Sequence, residues 1–262
     1  MRARVILASL AVMVAPTTIA SQDLARRVAA VDDGTARLTY PTRPGVEICD
    51  QGIRMGDDHM MWWSRYGDED PRNCRPGPAE IELRVRDGRV RDIELVRRER
   101  DRTEGAVNLG TVSAQVAVDY LMDVARTGGS GRGEEDAVFP AYIADVDGLW
   151  RDLLALGRES GVNEDVRTSA IFWVGQEAAD AVTEGLADVA MDDEEEQEVR
   201  DAAVFALSQR PDNEAVPMLM EVARTAPGMK TRQSAMFWLA QTEDERALDF
   251  FEEILLRRRG GG

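Results

Sequence analysis

RTSAIFWVGQ at residues 167–176, RDAAVFALSQ at 200–209 and RQSAMFWLAQ at 232–241 are one phrase written three times. Each is followed by a second helical pattern: AADAVTEGLADVAM at 178–191, EAVPMLMEVART at 214–225 and ERALDFFEEIL at 245–255. The spacing is 33 residues from Arg167 to Arg200 and 32 from Arg200 to Arg232. A period of this length, filled by two helices, is the signature of an α-solenoid. One helix pair cannot bury its apolar stripe alone, so each stacks on its neighbours. The chain is therefore expected to be mainly α.

A worn fourth copy extends the series backward. DAVFPAYIAD and then GLWRDLLALGRES follow Glu135, which lies 32 residues before Arg167. Pro140 is expected to kink its first helix or shift its start. Within the copies, take Val166, Val199 and Thr231 as position zero. Positions 4, 7 and 8 then hold Ala170, Trp173 and Val174; Ala203, Ala206 and Leu207; Ala235, Trp238 and Leu239. At about 100° per residue these share a face with position zero. That face is expected to pack on the second helix of its pair. The partners there are Val182, Leu186 and Val189; Leu219 and Val222; and Leu248, Phe251 and Leu255.

Two further positions repeat. Position 1 is Arg167, Arg200 and Arg232. A cation at a helix start opposes the dipole, so these arginines are expected to bond between repeats, to a turn acid or carbonyl. Phe172, Phe205 and Phe237 occupy position 6, and Gln176, Gln209 and Gln241 position 10, one turn further on. One reading has Phe wedged between adjacent first helices and Gln satisfying carbonyls, since repeated positions in a solenoid serve stacking. The other makes the strip a docking surface for a protein partner.

The rest of the chain is of another kind. Residues 1–20 have the form of a secretory signal peptide: Arg2 and Arg4, an apolar run from Val5 to Val14, and small residues for cleavage after Ala20. The run is too short to span a bilayer, so no membrane span is expected after its removal. A periplasmic or secreted location follows, and there Cys49 and Cys74 are expected to form a disulfide. Two cysteines and one histidine make a poor zinc set. Residues 21–105 are expected to be a small, mostly β domain. It would hold a short helix over 23–31, strands over 35–40 and 46–49, no regular structure over 50–80, and a hairpin over 81–96 around Asp87-Gly88. Residues 106–134 are expected to be a linker: a helix over about 112–126 capped by Thr111, then a Gly-rich loop. Residues 135–262 form the repeat domain.

The formal charge is −17, and residues 135–258 account for −17 by themselves. Such a surface disfavours nucleic acid, whose binding rests on Lys and Arg, and anionic membranes. It suits a basic partner; the other reading is a solvated, soluble face.

The V-R-x-x-A-x-x-A-L pattern of Val199 to Leu207, the turn acids Asp212 and Asp244, and Pro217 resemble HEAT repeats of the type related to phycobilisome lyases. The resemblance covers roughly residues 135–258. The chain is also similar to exported bacterial HEAT-repeat proteins with FW-L-G/A-Q units. The resemblance implies a solenoid that binds proteins. Iron-dependent hydroxylases of the wider group need paired His-Glu motifs. The chain's one histidine, His59, lies outside the repeats, so that activity does not carry over. A bilin lyase role does not suit an exported chain.

No nucleophile motif is present. Asp192–Glu196 lacks the alternation and glycine of a calcium loop. His59 lies near Asp57, Asp58, Asp68, Glu69 and Asp70, and a lone histidine among acids reads first as a surface residue. The expectation is an exported, non-catalytic HEAT-like scaffold for protein–protein interaction, with no cofactor. The alternatives are a metal-binding protein or enzyme centred on His59, and a lyase-like chaperone for a cofactor.

Overall fold

The structure is a computed structural model that describes residues 16–50, 52–55, 73–127, 133, 135–177 and 180–259. Its N-terminal half is β-rich and its C-terminal half helical. One hydrophobic core runs through both, from Leu24 to Phe250.

Helix α1 spans Pro16–Ala29 and so runs through the expected cleavage point. Its core residues, Leu24 and Val28, lie beyond that point. Strand β1 follows at Gly34–Tyr40. β5 (Ala79–Arg86) and β6 (Arg89–Leu95) form the expected hairpin. Its turn residues Asp87 and Gly88 have φ of 51° and 67°, the left-handed pair that a two-residue hairpin turn requires. Ala79, Ile81, Leu83 and Val85 alternate inward and are fully buried.

The sheet order is β6-β5-β1-β7. β7 is Val107–Thr111 and pairs with β1 in parallel. This corrects the linker expected over 106–134, whose first residues are an edge strand. Helix α2, Ala114–Thr127, is a core element too. It packs on α1, and Ala117, Leu121 and Ala125 are fully buried. Its cap is Ser113, whose Oγ accepts from the Val116 N–H at 3.3 Å; Thr111 ends β7 instead. The glycine of the following loop that the structure describes, Gly133, lies against the β6 backbone at Arg91.

Residues 50–80 also hold structure that the sequence reading did not assign. β2 (Val46–Cys49) is the middle strand of a second sheet, between β3 (Ile53–Met55) and β4 (Cys74–Pro76). Cys49 and Cys74 sit opposite each other in that sheet and form a disulfide.

Between the halves the chain is joined by direct bonds. The Tyr40 hydroxyl donates to the Pro140 carbonyl at 2.8 Å, and both are buried. The Arg43 N–H donates to Ile143 O at 3.0 Å, and the Asp145 N–H to Pro41 O at 3.1 Å. The Arg43 guanidinium pairs with Glu177 and lies 4.6 Å over the Tyr142 ring. Tyr40→Phe strips a buried carbonyl of its donor, a loss of about 1–3 kcal/mol. Chemical denaturation is expected to show that loss; an unchanged midpoint would mean that water replaces the hydroxyl.

The helical half begins with the worn unit, α3 (Val138–Tyr142) and α4 (Trp150–Gly157). Pro140 lies in the first turn of α3, where a missing N–H costs nothing, and the helix is only five residues long. Three full pairs follow: α5 (Glu164–Gly175) with α6 (Asp180–Met191), α7 (Gln197–Ser208) with α8 (Asp212–Thr225), and α9 (Met229–Leu239) with α10 (Glu245–Arg259). α5, α7 and α9 pack in series, as do α6, α8 and α10. The second helix of each unit also packs against the first of the next, α4 on α5, α6 on α7 and α8 on α9. Small residues permit this stacking. A Cβ on Gly175 would stand 2.8 Å from the Ala206 Cβ, and one on Gly185 would stand 2.6 Å from Leu154 Cδ2.

Positions 0, 4, 7 and 8 are buried in all three pairs, apart from Trp238, which is partly buried. On the second helices, Val182, Leu186, Val189, Leu219 and Val222 are buried as expected. Helix α10 departs from expectation. Its core residues are Ala247 and Phe250; of the expected set Phe251 packs partly buried against the core, while Leu248 and Leu255 are 64% and 62% exposed.

Candidate interaction surface

Each arginine at position 1 reaches back to the turn before its helix. Arg167 Nε donates to Gly157 O at 3.0 Å. Its other nitrogens pair with Glu196 at 3.0 Å and with Glu195, both in the turn before α7. Arg200 donates to Asp192 O at 3.1 Å and to Glu195 O. Arg232 donates to Ala226 O and, at 3.3 Å, to Pro227 O. These carbonyls follow the C-terminus of a preceding helix or close it, so their partial negative charge offsets the unfavourable position of the cation at the next helix start.

Arg210 was not singled out by the sequence reading. It is buried, and it donates to Glu214 Oε2 at 2.9 Å, to Thr183 Oγ1 at 3.2 Å and to Glu177 O. Glu214 also accepts from Thr183 Oγ1 at 2.5 Å. The network fastens the α5–α6 turn to the α7–α8 turn. Nothing in the repeat pattern marks it, because the equivalent positions are Glu177 and Thr242.

The position-6 phenylalanines lie on the outward side of the first-helix layer and form part of a continuous aromatic row. Phe139 and Tyr142 of α3 contact Trp173, with ring centroids 4.6 and 4.8 Å away. Trp173 meets Phe172 edge-on at 4.9 Å. Phe172 stacks on Phe205 at 6.1 Å with 8° between the planes, and Phe205 lies 5.1 Å from Trp238. Phe237 meets Trp238 edge-on at 5.1 Å and is itself 56% exposed. Offset and edge-on pairs of this kind are each worth about 0.5–1.5 kcal/mol beyond the area they bury. Phe172 and Phe205 are thus partly buried inside the row, and Phe237 stands at its open end. The glutamines serve differently. Gln176 and Gln209 are the C-cap residues of α5 and α7. The Gln209 side chain donates to the neighbouring Ser208 Oγ at 3.1 Å, not to a carbonyl of the next turn.

The row is open because the last pair has no successor among the described residues. Gln197 of α7 reaches forward to Thr231 Oγ1 at 3.2 Å. Its equivalent in the last pair is Met229, which is 67% exposed. Gly175 packs forward on Ala206; its equivalent, Ala240, is exposed. On α10, Leu248, Leu255 and Leu256 are uncovered too.

His59 and its neighbouring acids lie outside the described residues, as do Arg2, Arg4 and the apolar run before α1. Among the described residues no group of three or more His, Cys, Asp or Glu is placed to hold a metal ion. No described helix is long and apolar enough to cross a membrane.

Compared with known families, residues 183–260 match HEAT repeats. The match takes in most of α6 and all of α7 to α10. No curated protein and no solved structure matches the chain.

Proposed function

We propose that this chain is an exported α-solenoid scaffold of HEAT-like pairs that binds a protein partner and carries no catalytic site of its own. The carrying observation is the aromatic row, which follows successive first helices and ends in an exposed phenylalanine. Exposed aromatic side chains on a rigid layer are the residue type most enriched at protein interfaces. Repeat arrays use their broad faces in this way. The disulfide favours an oxidising compartment. The acidity of the repeats favours a partner with basic character around the apolar contact.

The burial pattern selects the variant that separates binding from folding. Phe205→Ala removes a ring packed between Phe172 and Trp238, so a loss of about 2–4 kcal/mol of stability is expected. Phe237→Ser removes a largely exposed ring whose one ring contact is edge-on to Trp238, so a loss of only about 0.5–1.5 kcal/mol is expected and the fold is kept. Affinity capture with the mature chain from an exported-protein fraction is the test, with wild type and Phe237→Ser compared side by side. Loss of a specific partner by folded Phe237→Ser supports the reading. A partner retained by Phe237→Ser would leave the row with a stacking role alone.

A further inference from the structure

The disulfide has a companion that a structural staple does not need. Arg54 of β3 stands opposite Glu47 of β2, and its Nη1 lies 3.0 Å from Glu47 Oε2. Its other terminal nitrogen, Nη2, donates to Cys74 Sγ on β4 at 2.9 Å. Strands β3 and β4 flank β2. Glu47 and Cys49 are two residues apart on β2 and so share a face, and the guanidinium reaches across that face to the bond. Asp50 and Arg75 are the sequence neighbours of the two cysteines. Arg75 alternates to the opposite face of β4 and is exposed.

A sulfur in a disulfide is a neutral, weak acceptor, so a guanidinium gains little from it. A thiolate is an anion, and the same contact becomes charge-assisted. Arg54 thus favours a reduced, ionised Cys74 over the oxidised bond. A cation beside a cysteine favours its thiolate, and a stabilised reduced form makes a disulfide the stronger oxidant. The two sulfurs also differ in access. Cys49 is 3% exposed, whereas Cys74 is partly exposed. An incoming thiolate therefore meets Cys74 Sγ first. The donor sulfur bonds to Cys74 Sγ, the Cys49–Cys74 bond breaks, and Cys49 leaves as a thiolate and takes a proton. A second thiolate of the donor then attacks the donor's own bonded sulfur and expels Cys74 Sγ as a thiolate beside Arg54. The donor dithiol becomes a disulfide and gives up two electrons and two protons. The cysteines take both electrons; Cys49 takes one proton, and the other goes to water.

We propose that Cys49–Cys74 is an exchangeable bond, opened at Cys74 by a protein dithiol, with Arg54 as the positioning residue for the Cys74 thiolate. Opening it frees β4 from β2 beside the seam between the two halves. β4 runs into Gly77, whose carbonyl accepts from Thr42 Oγ1 at 2.8 Å. Thr42 lies between Pro41 and Arg43, which bond to Asp145 and Ile143 across the seam. Reduction is thereby a switch on that seam, and it does not depend on the partner proposed for the aromatic row.

The test equilibrates the mature chain in dithiothreitol buffers of graded oxidised-to-reduced ratio and reads the fraction reduced by thiol alkylation and mass. Arg54→Gln should lower the equilibrium constant for reduction about tenfold against wild type, a shift of about 30 mV. Arg54→Lys keeps the cation and should recover most of it. A purely structural Arg54 acts in the opposite sense, since a loosened sheet holds the bond less firmly. An unchanged or raised constant in Arg54→Gln therefore overturns the proposal. Oxidised glutathione checks the point of entry. Cys49→Ser should form its mixed disulfide at Cys74 about tenfold faster than Cys74→Ser forms one at Cys49; equal or reversed rates overturn entry at Cys74. Hydrogen exchange at the Arg43 and Asp145 amides should quicken in reduced wild type, and unchanged protection there overturns the switch.

Discussion

Arg167→Ala is expected to lower the unfolding free energy by about 3–5 kcal/mol, the usual cost of removing one partner from a buried ion pair. The side chain is 1% exposed, and Glu195, its closest acidic partner, has a side chain only 8% exposed. Alanine leaves that carboxylate desolvated with no cation, and it leaves Gly157 O without the donor that closes α4. The cost is specific to this copy. Arg200 and Arg232 are only partly buried and bond chiefly to carbonyls. Alanine there is expected to cost about 1–2 kcal/mol each. Urea titrations of the three variants should therefore be graded, with Arg167 the outlier. Three equal losses would mean that the ion pair adds nothing to the shared carbonyl contact. Arg167→Lys should recover only part of the loss, since an ammonium cannot present the same fork of donors.

The second large effect is expected from the disulfide. Cys49 and Cys74 are 25 residues apart, and closing a loop of that length stabilises by about 3–4 kcal/mol in the chain-entropy account. The bond also holds β2 against β4 at their paired ends. Both pairings in that sheet are short, and a small sheet of three strands is marginal alone. Replacing both cysteines by serine, or adding reductant, is expected to move thermal unfolding down by several degrees. Because the core continues from the sheets into the helices, the shift should appear in the helical signal as well. A helical transition that stays in place while the β-rich half melts would show that the halves unfold separately.

The repeats were legible because period and burial agree over many turns. Val199, Ala203, Ala206 and Leu207 form a single stripe, and their counterparts recur on schedule. Helix α10 was misread by one residue for a physical reason: the triplets 247-250-254 and 248-251-255 have the same helical spacing. Pattern alone prefers Leu, Phe and Leu over Ala, Phe and Ile. The structure buries Ala247 and Phe250, leaves Phe251 and Ile254 partly buried, and exposes Leu248 and Leu255. β7 could not be read from VNLGT, where only Leu109 is buried. The second sheet was hidden for a similar reason, since β3 and β4 have three residues each and draw their order from pairing and a covalent link. Of the candidate surface, the sequence showed that Phe172, Phe205 and Phe237 were equivalent. It could not show that the first two are covered by the next unit and the third is not.

Strand β7 also fixes an order of assembly. β1, β5 and β6 can pair as soon as residue 95 has emerged, but the other edge of β1 stays vacant until residues 107–111 arrive. An open strand edge is a template for unwanted pairing with other chains. A polypeptide that crosses a membrane unfolded would carry this edge bare through the interval, and the intervening charged stretch RRERDRTEG at 97–105 then acts as the local deterrent to aggregation. Its arginines and acids are in this light a safeguard for a sheet that is completed late.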